Sequence, residues 1–186
     1  MNAEDNKLIE EYLAGDTASF EKLVQKYLKP VYNFLFHLIS DKAILDDLTQ
    51  ETFVKAWKNL ERFDRSKNFK TWIFTIARNT AWDYLKKKKA IPFSAFEDEE
   101  GNNKLEQISD NAILPDEILM DAESKINLGE KLQELPAHYR ALLLLHYKDE
   151  LSLQEISVIL KKPYNTVKSQ HARALASLKK ILFLSC

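Results

Sequence analysis

Residues 70–89 read KTWIFTIARNTAWDYLKKKK, a stretch that is apolar and aromatic along most of its length and ends in four lysines. Ile73, Ile76, Ala77, Thr80, Ala81 and Tyr84 recur at the spacing of one helical face, so the segment is an amphipathic helix with that face in a core. Thr71, Thr75, Asn79, Asp83, Lys86 and Lys87 line a second, polar stripe, with Trp82 at its edge. The helix dipole accounts for one or two lysines at a C-terminal end. Four of them point to a polyanion.

The chain has 186 residues, 45% of them hydrophobic, with only three glycines and five prolines. Few breakers and long runs of Leu, Lys, Glu and Ala predict an all-α protein with short connections. No alternating strand pattern and no internal repeat occur. The acidic N-terminus, MNAEDNKLIEEY, and the lack of any run of eighteen apolar residues predict neither signal peptide nor membrane span, hence a cytoplasmic protein. Cys186 is the last residue and cannot close an internal disulfide.

The overall charge of −1 conceals a division along the chain. Residues 1–95 hold 16 basic and 13 acidic side chains, residues 96–134 hold 3 and 12, and residues 135–186 hold 8 and 3. Two mildly basic ends joined by an acidic middle describe two modules and a tether. The middle, FEDEEGNNKLEQISDNAILPDE, has the turn chemistry and sparse apolar content of a flexible linker, placed at 95–115. The expected division is therefore 1–94, 95–115 and 116–186. Helices are expected at 4–14, 16–39, 42–62 and 69–89, then at 116–133, 136–149, 152–160 and 164–183. Asp16, Asp41 and Ser152 are the expected N-caps, and Pro136 suits a first turn.

In ELSLQEISVILKKPYNTVKSQHARALASLKKIL, Leu153, Ile156 and Leu160 mark the inner face of a short helix. A polar turn with Pro163 follows, and Val167, His171, Ala174, Leu175 and Leu178 mark the inner face of a second helix. This is the layout of a helix-turn-helix, whose second helix meets base edges. Thr166, Lys168, Ser169, Gln170 and Arg173 are the expected outward donors. A plain helical hairpin with a solvated charged face has the same spacing. His171 reads as a core or boundary histidine. His37, His138 and His146 are scattered, and no C-x-x-C or H-E-x-x-H spacing occurs, so no metal, cofactor or catalytic group is expected.

DDLTQETFVKAWKNLERFD followed by FKTWIFTIARNTAWDYLKK resembles region 2 of the sigma-70 family, in its two-domain extracytoplasmic-function group. ELPAHYRALLLLHYKDELSLQEISVILKKPYNTVKSQHARAL is similar to region 4 of the same group. The resemblance covers nearly the whole chain. It implies a non-enzymatic subunit that joins core RNA polymerase and directs it to promoter DNA, with no small-molecule substrate and an anti-sigma factor as a further partner. Asp47, Gln50, Glu51, Phe53, Val54 and Trp57 match the polymerase-docking helix. Of these, Phe53 and Trp57, four apart, include at least one core residue. By the same resemblance the helix from Lys70 faces the −10 element through Asn79, Trp82, Asp83, Lys86 and Lys87. The loop RFDRSKNF would capture a flipped base through Phe63, Arg65, Lys67, Asn68 and Phe69. Phe69 fits a core plug equally well. Lys86 to Lys89 stand where the family more often carries arginine, which keeps the charge but loses the bidentate fork.

Region 4 departs further. Thr166, Val167, Lys168, Ser169 and Arg173 match, but Gln170 replaces an arginine, His171 a leucine and Leu175 another arginine. Fewer cations predict weaker phosphate binding and an unusual −35 preference. Two other classes fit parts of the chain: a sigma mimic that sequesters an anti-sigma factor without reading DNA, and a helix-turn-helix repressor. The repressor leaves the N-terminal match unexplained.

Overall fold

A computed structural model describes residues 3–39, 41–88 and 131–183, and every regular element among them is helical. Helices α1 (Ala3–Leu13) and α2 (Thr17–Leu38) are joined at Gly15, whose φ of +108° is a conformation only glycine adopts without strain. Asp16 caps α2 as expected, accepting from the Ala18 amide at 3.1 Å and from Ser19 Oγ at 2.7 Å. The helix expected at 42–62 is α-helical only in its middle, α3 (Leu45–Asn59). A 3₁₀ turn capped by Asp41 leads in at Lys42–Ile44, and another leads out at Leu60–Arg62. Helix α4 (Phe69–Lys88) follows a short polar loop.

In the C-terminal half, α5 (Ala137–Leu143) runs on into a π turn at Leu144–Lys148. Helices α6 (Leu153–Leu160) and α7 (Tyr164–Phe183) form the expected helix-turn-helix. Ser152 and Glu155 make a reciprocal capping box on α6. Lys161 ends that helix with a left-handed φ of 54°. The linker expected at 95–115 lies outside the described residues, as does the helix at 116–133 except for its end, where residues 131–134 are helical.

Helices α2, α3 and α4 pack on one another with α1 laid against α2, while α5 and α6 pack on α7. The two groups touch where α4 meets α6 and α2 meets α5. The inner face of α4 is as the periodicity dictates: Ile73, Ala77, Thr80 and Ala81 are buried. Phe34 of α2 meets Phe74 edge-on at 5.3 Å between ring centres. A second aromatic group closes the base of α4, where Phe69 stands 5.4 Å from Tyr27, 5.6 Å from Phe63 and 5.5 Å from Trp72.

Among the polar side chains buried in this bundle, Asp5 is the carboxylate. Asp5 of α1 is fully buried, accepts from Tyr27 Oη at 2.6 Å, and pairs with Lys26 Nζ at 2.7 Å. Burial pulls the Lys26 ammonium downward, yet its hydrogen bonds to Asp5 and Glu4 hold it above the usual lysine range. Asp5 thus fastens α1 to α2 through two charge-assisted bonds. Asp5→Ala takes the buried carboxylate away from the Tyr27 hydroxyl and leaves Lys26 its exposed partner Glu4, and is expected to destabilise the N-terminal bundle by about 2–3 kcal/mol, read as a lower urea midpoint with unchanged slope.

Candidate functional site

The outer face of α3 carries Asp47, Gln50, Glu51, Val54 and Trp57, all solvent-exposed and spaced by three or four residues. Val54 and Trp57 are 47% and 51% exposed, a large apolar area for a surface helix. Trp57 is held by its indole Nε1–H, which donates to Tyr12 Oη at 2.6 Å. Phe53, expected on this face, is instead 9% exposed. Its position, between the outer strip and buried Thr52 and Ala56, turns the ring into the bundle. Lys55 links this face to the next helix: it pairs with Glu51 at 2.8 Å and reaches Asp83 at 3.7 Å and Thr80 Oγ1 at 3.2 Å.

The loop before α4 holds its exposed cations in place. Arg65 lies 3.6 Å from Glu10 and Lys67 lies 3.7 Å from Asp64, which itself caps the loop through Ser66. Phe63 and Phe69, expected as base-stacking rings, are buried in the aromatic group around Tyr27 and Trp72. Neither offers a face to a flipped base. The surface the loop does present is polar: Arg65, Lys67 and half-buried Asn68.

Along α4 the polar stripe is present, but its residues are engaged. Asn79 Oδ1 accepts from Arg78 Nη1 at 3.2 Å, and the Arg78 guanidinium lies over the Trp82 ring at 4.3 Å from its centre. Asp83 takes part in the Lys55 network, whereas Lys86 and Lys87 are exposed at the end of the stripe. Lys89 lies outside the described residues.

Residues that the sequence pattern did not single out join this stripe to the other half of the chain. Glu155 of α6 accepts from Asn68 Nδ2 at 2.8 Å and Thr71 Oγ1 at 3.2 Å through one carboxylate oxygen. Its other oxygen caps α6, accepting from the Ser152 amide at 2.9 Å and hydroxyl at 2.8 Å. Burial pushes the Glu155 carboxyl up, but these four donors together hold it below the usual glutamate range. Lys70 Nζ donates to the Asp149 carbonyl, Arg78 Nη2 to the Leu160 carbonyl at 3.3 Å, and Arg140 Nη2 to the His37 carbonyl at 3.3 Å. Beside this last contact, Asn33, His37, Lys148 and Asp149 line a cavity of about 10 Å³, room for at most one water molecule.

On α7, Thr166, Lys168 and Ser169 are exposed near the N-terminal end and Arg173 is half-buried. Gln170, expected to point outward, is only 3% exposed. It lies on the inner side of the turn, where Lys162 Nζ donates to its Oε1 at 3.3 Å, so it braces the helix-turn-helix and cannot reach a base edge unaided. His171 is half-buried as expected, with its ring 5.0 Å from His146 and 5.7 Å from Tyr147. Burial first, then the neighbouring His146, lowers its pKa to about 4. Among the described residues no three His, Cys, Asp or Glu side chains converge as a metal site, and no helix is long and apolar enough to cross a membrane.

Comparison with known proteins matches residues 23–91 to sigma-70 region 2 and residues 125–178 to sigma-70 region 4. The ECF RNA polymerase sigma factor SigW of Bacillus subtilis is 33% identical over 178 residues, which span 95% of both chains. Two solved structures share the fold. CnrH in complex with the cytosolic domain of CnrY has a TM-score of 0.65 at 20% identity, covering 98% of this chain and 99% of that one. RpoE of Bartonella quintana in complex with the anti-sigma factor NepR has a TM-score of 0.64 at 23% identity, covering 90% and 98%.

Acid should loosen this arrangement in two stages. His37 and His171 have pKa values lowered to about 4, so the unfolded chain takes up protons on both before the folded chain does. Stability from these two groups is full above pH 6.5 and is lost as pH falls from 6.5 toward about 4. Glu155 acts lower: its contribution is full above 4.5 and disappears as pH falls through its depressed folded value. Thermal melting followed between pH 7.5 and 4.5 should show a falling midpoint. His171→Leu should flatten that dependence and raise the midpoint, because it also removes a buried Nε2 that has no hydrogen-bond partner.

Proposed function

The chain belongs to the extracytoplasmic-function group of sigma-70 RNA polymerase sigma factors, and from that premise we propose which surface performs each step. As an alternative sigma factor it binds core RNA polymerase and directs transcription initiation at promoter DNA. The division proposed is residues 1–94 for polymerase binding and the −10 element, 95–115 as a tether, and 116–186 for the −35 element.

The observation that carries the residue assignment is the position of the exposed strip on α3 relative to α4. Asp47, Gln50, Glu51, Val54 and Trp57 make an acidic and apolar docking surface on the outside of the bundle. The next helix turns a stripe with Asn79, Trp82, Asp83, Lys86 and Lys87 away from that bundle's core. A single rigid module thus holds polymerase on one helix and DNA on its neighbour. Asn79 is the base-reading group, an amide able to pair with an adenine edge, and Lys86 and Lys87 hold phosphates. Arg65, Lys67 and Asn68 grip the strand ahead of α4, by hydrogen bonds and charge and without a stacking ring.

In the second module Thr166, Lys168, Ser169 and Arg173 contact the −35 element. Two weak readers tethered on one polymerase act at raised effective concentration, so neither needs to be strong alone. The chain works in the cytoplasm and supplies no catalytic step; the chemistry belongs to the polymerase. An anti-sigma factor is a further proposed partner, supported by the whole-chain likeness to CnrH and RpoE, each solved with another protein bound. It would compete for the same docking surfaces.

The decisive experiment is transcription of sheared genomic DNA by core polymerase with and without this chain, mapping new start sites. Starts that share two spaced elements support the proposal; stable polymerase binding with no new starts overturns it in favour of a mimic. Asn79→Ala is expected to lower open-complex formation roughly tenfold while core binding is retained. Replacing Lys86 and Lys87 by alanine should flatten the dependence of log affinity on log salt by about 0.7–0.9 per lysine, measured by fluorescence anisotropy.

A further inference from the structure

Trp57 is 51% exposed at the end of the α3 strip, yet its one polar side-chain atom is already paired within the chain. The indole N–H is a donor only, and it donates to Tyr12 Oη at 2.6 Å across 45 residues of sequence. At an exposed position water accepts such a bond nearly as well, so the pair contributes little to folding stability. Its consequence is geometric: a ring free to turn about its side-chain torsions is held in one orientation. The acceptor is itself held from two sides. The Tyr12 ring packs on Phe20 of α2 with centres 5.4 Å apart, and the Tyr12 carbonyl accepts from the Gly15 amide at 2.9 Å in the turn that joins the two helices. At the other end of α1, Asp5 fixes the helix to Lys26 and Tyr27 of α2. Tyr12 thus passes the rigidity of α1 and α2 to a side chain of α3.

We propose that Tyr12 is a positioning residue for polymerase docking: its hydroxyl presets the Trp57 indole as the apolar anchor of the α3 strip, and Tyr12 itself needs no contact with polymerase. The inference rests on the reading of α3 as the polymerase-binding helix. A surface tryptophan that samples several rotamers must lose that freedom on association, and this one has lost it in the free chain. Tryptophan is the residue type for which this matters most, because a single buried indole can carry a large share of an interface. With the N–H satisfied internally, the polymerase surface that faces Trp57 and Val54 has to supply apolar side chains and no acceptor. Asp47, Gln50 and Glu51, further along the strip, meet polar and cationic groups.

The test measures binding of the full chain to immobilised core polymerase by biolayer interferometry. Tyr12→Phe removes one hydroxyl and keeps the ring against Phe20. It should weaken binding roughly three- to tenfold, the scale of ordering one aromatic side chain on association. Trp57→Phe takes away the indole N–H, and in that background Tyr12→Phe should change affinity by less than about twofold, because the two residues act as one unit. The three indole N–H resonances of the isotope-labelled chain report the geometry directly. The resonance lost in Trp57→Phe belongs to Trp57, and in Tyr12→Phe it should shift and exchange faster with water while the other two stay in place. Full affinity in Tyr12→Phe with a shifted Trp57 resonance would overturn the positioning role. So would an equal loss from Tyr12→Phe in both backgrounds, which marks a direct contact, or an unmoved Trp57 resonance, which shows that the bond is not made in solution. Trp57→Ala tests the underlying reading separately. Intact core binding in that variant removes Trp57 from the docking surface and the inference with it, whereas a loss there and none in Tyr12→Phe removes only the positioning role.

Discussion

Helix α4 has to satisfy two surroundings at once, and the rest of the molecule is arranged around that demand. Phe69, Ile73, Phe74, Ala77 and Ala81 are all buried, so a full side of the helix is committed to α2 and α3. The two alanines keep that side shallow and allow neighbouring helices to approach closely. Phe74 and Phe69 fill the space above and below. A helix fixed this tightly can hold the side chains of its opposite stripe to a narrow range of positions, which recognition of a flexible strand requires. The polar stripe inherits its backbone order from the apolar face, and its own hydrogen bonds and ion pairs fix the side chains.

The helical boundaries were legible because they follow from period and capping alone. Asp16, Asp41 and Ser152 accept from the backbone where expected, and α4 and α7 end within a residue of their apolar pattern. Errors arose where a side chain's partner lies far along the chain. Phe63 lies in the polar loop and Phe69 opens α4, where a ring that stacks on a base and one that plugs the core look alike, and for Phe69 the core-plug reading is the one that burial supports. The deciding neighbour, Tyr27, is some forty residues away. Phe53 is the core member expected of the Phe53–Trp57 pair, and Gln170, expected outward, is buried for a related reason. Each lies on the border between faces, and a border residue is turned inward or outward by what packs over it, here the bundle interior and Lys162 of the preceding turn.

Arg78 shows the complementary omission. Lying between Ala77 and Asn79 in an apolar stretch, it carries no periodic signal of its own. Its role becomes visible only once Trp82, one turn on, and the Leu160 carbonyl of the other module are placed around it. Glu155 was half legible. The Ser-x-x-Glu pattern specifies one carboxylate oxygen, which caps α6, but local sequence says nothing about the other, and that oxygen joins the two modules.

The character of the contact between modules follows from those partners. Within each module the core is made of aliphatic and aromatic side chains, and burial of such groups stabilises an assembly without regard to what else is in solution. Between the modules the named polar bonds are from amide, ammonium, hydroxyl and guanidinium groups to a carboxylate and to backbone carbonyls. Hydrogen bonds of this kind contribute modest net stability, and apolar groups join them at the same boundary, where Phe34 of α2 lines one small cavity with Ala141, Leu144 and Leu145, so the contact combines core-like burial with polar bonds.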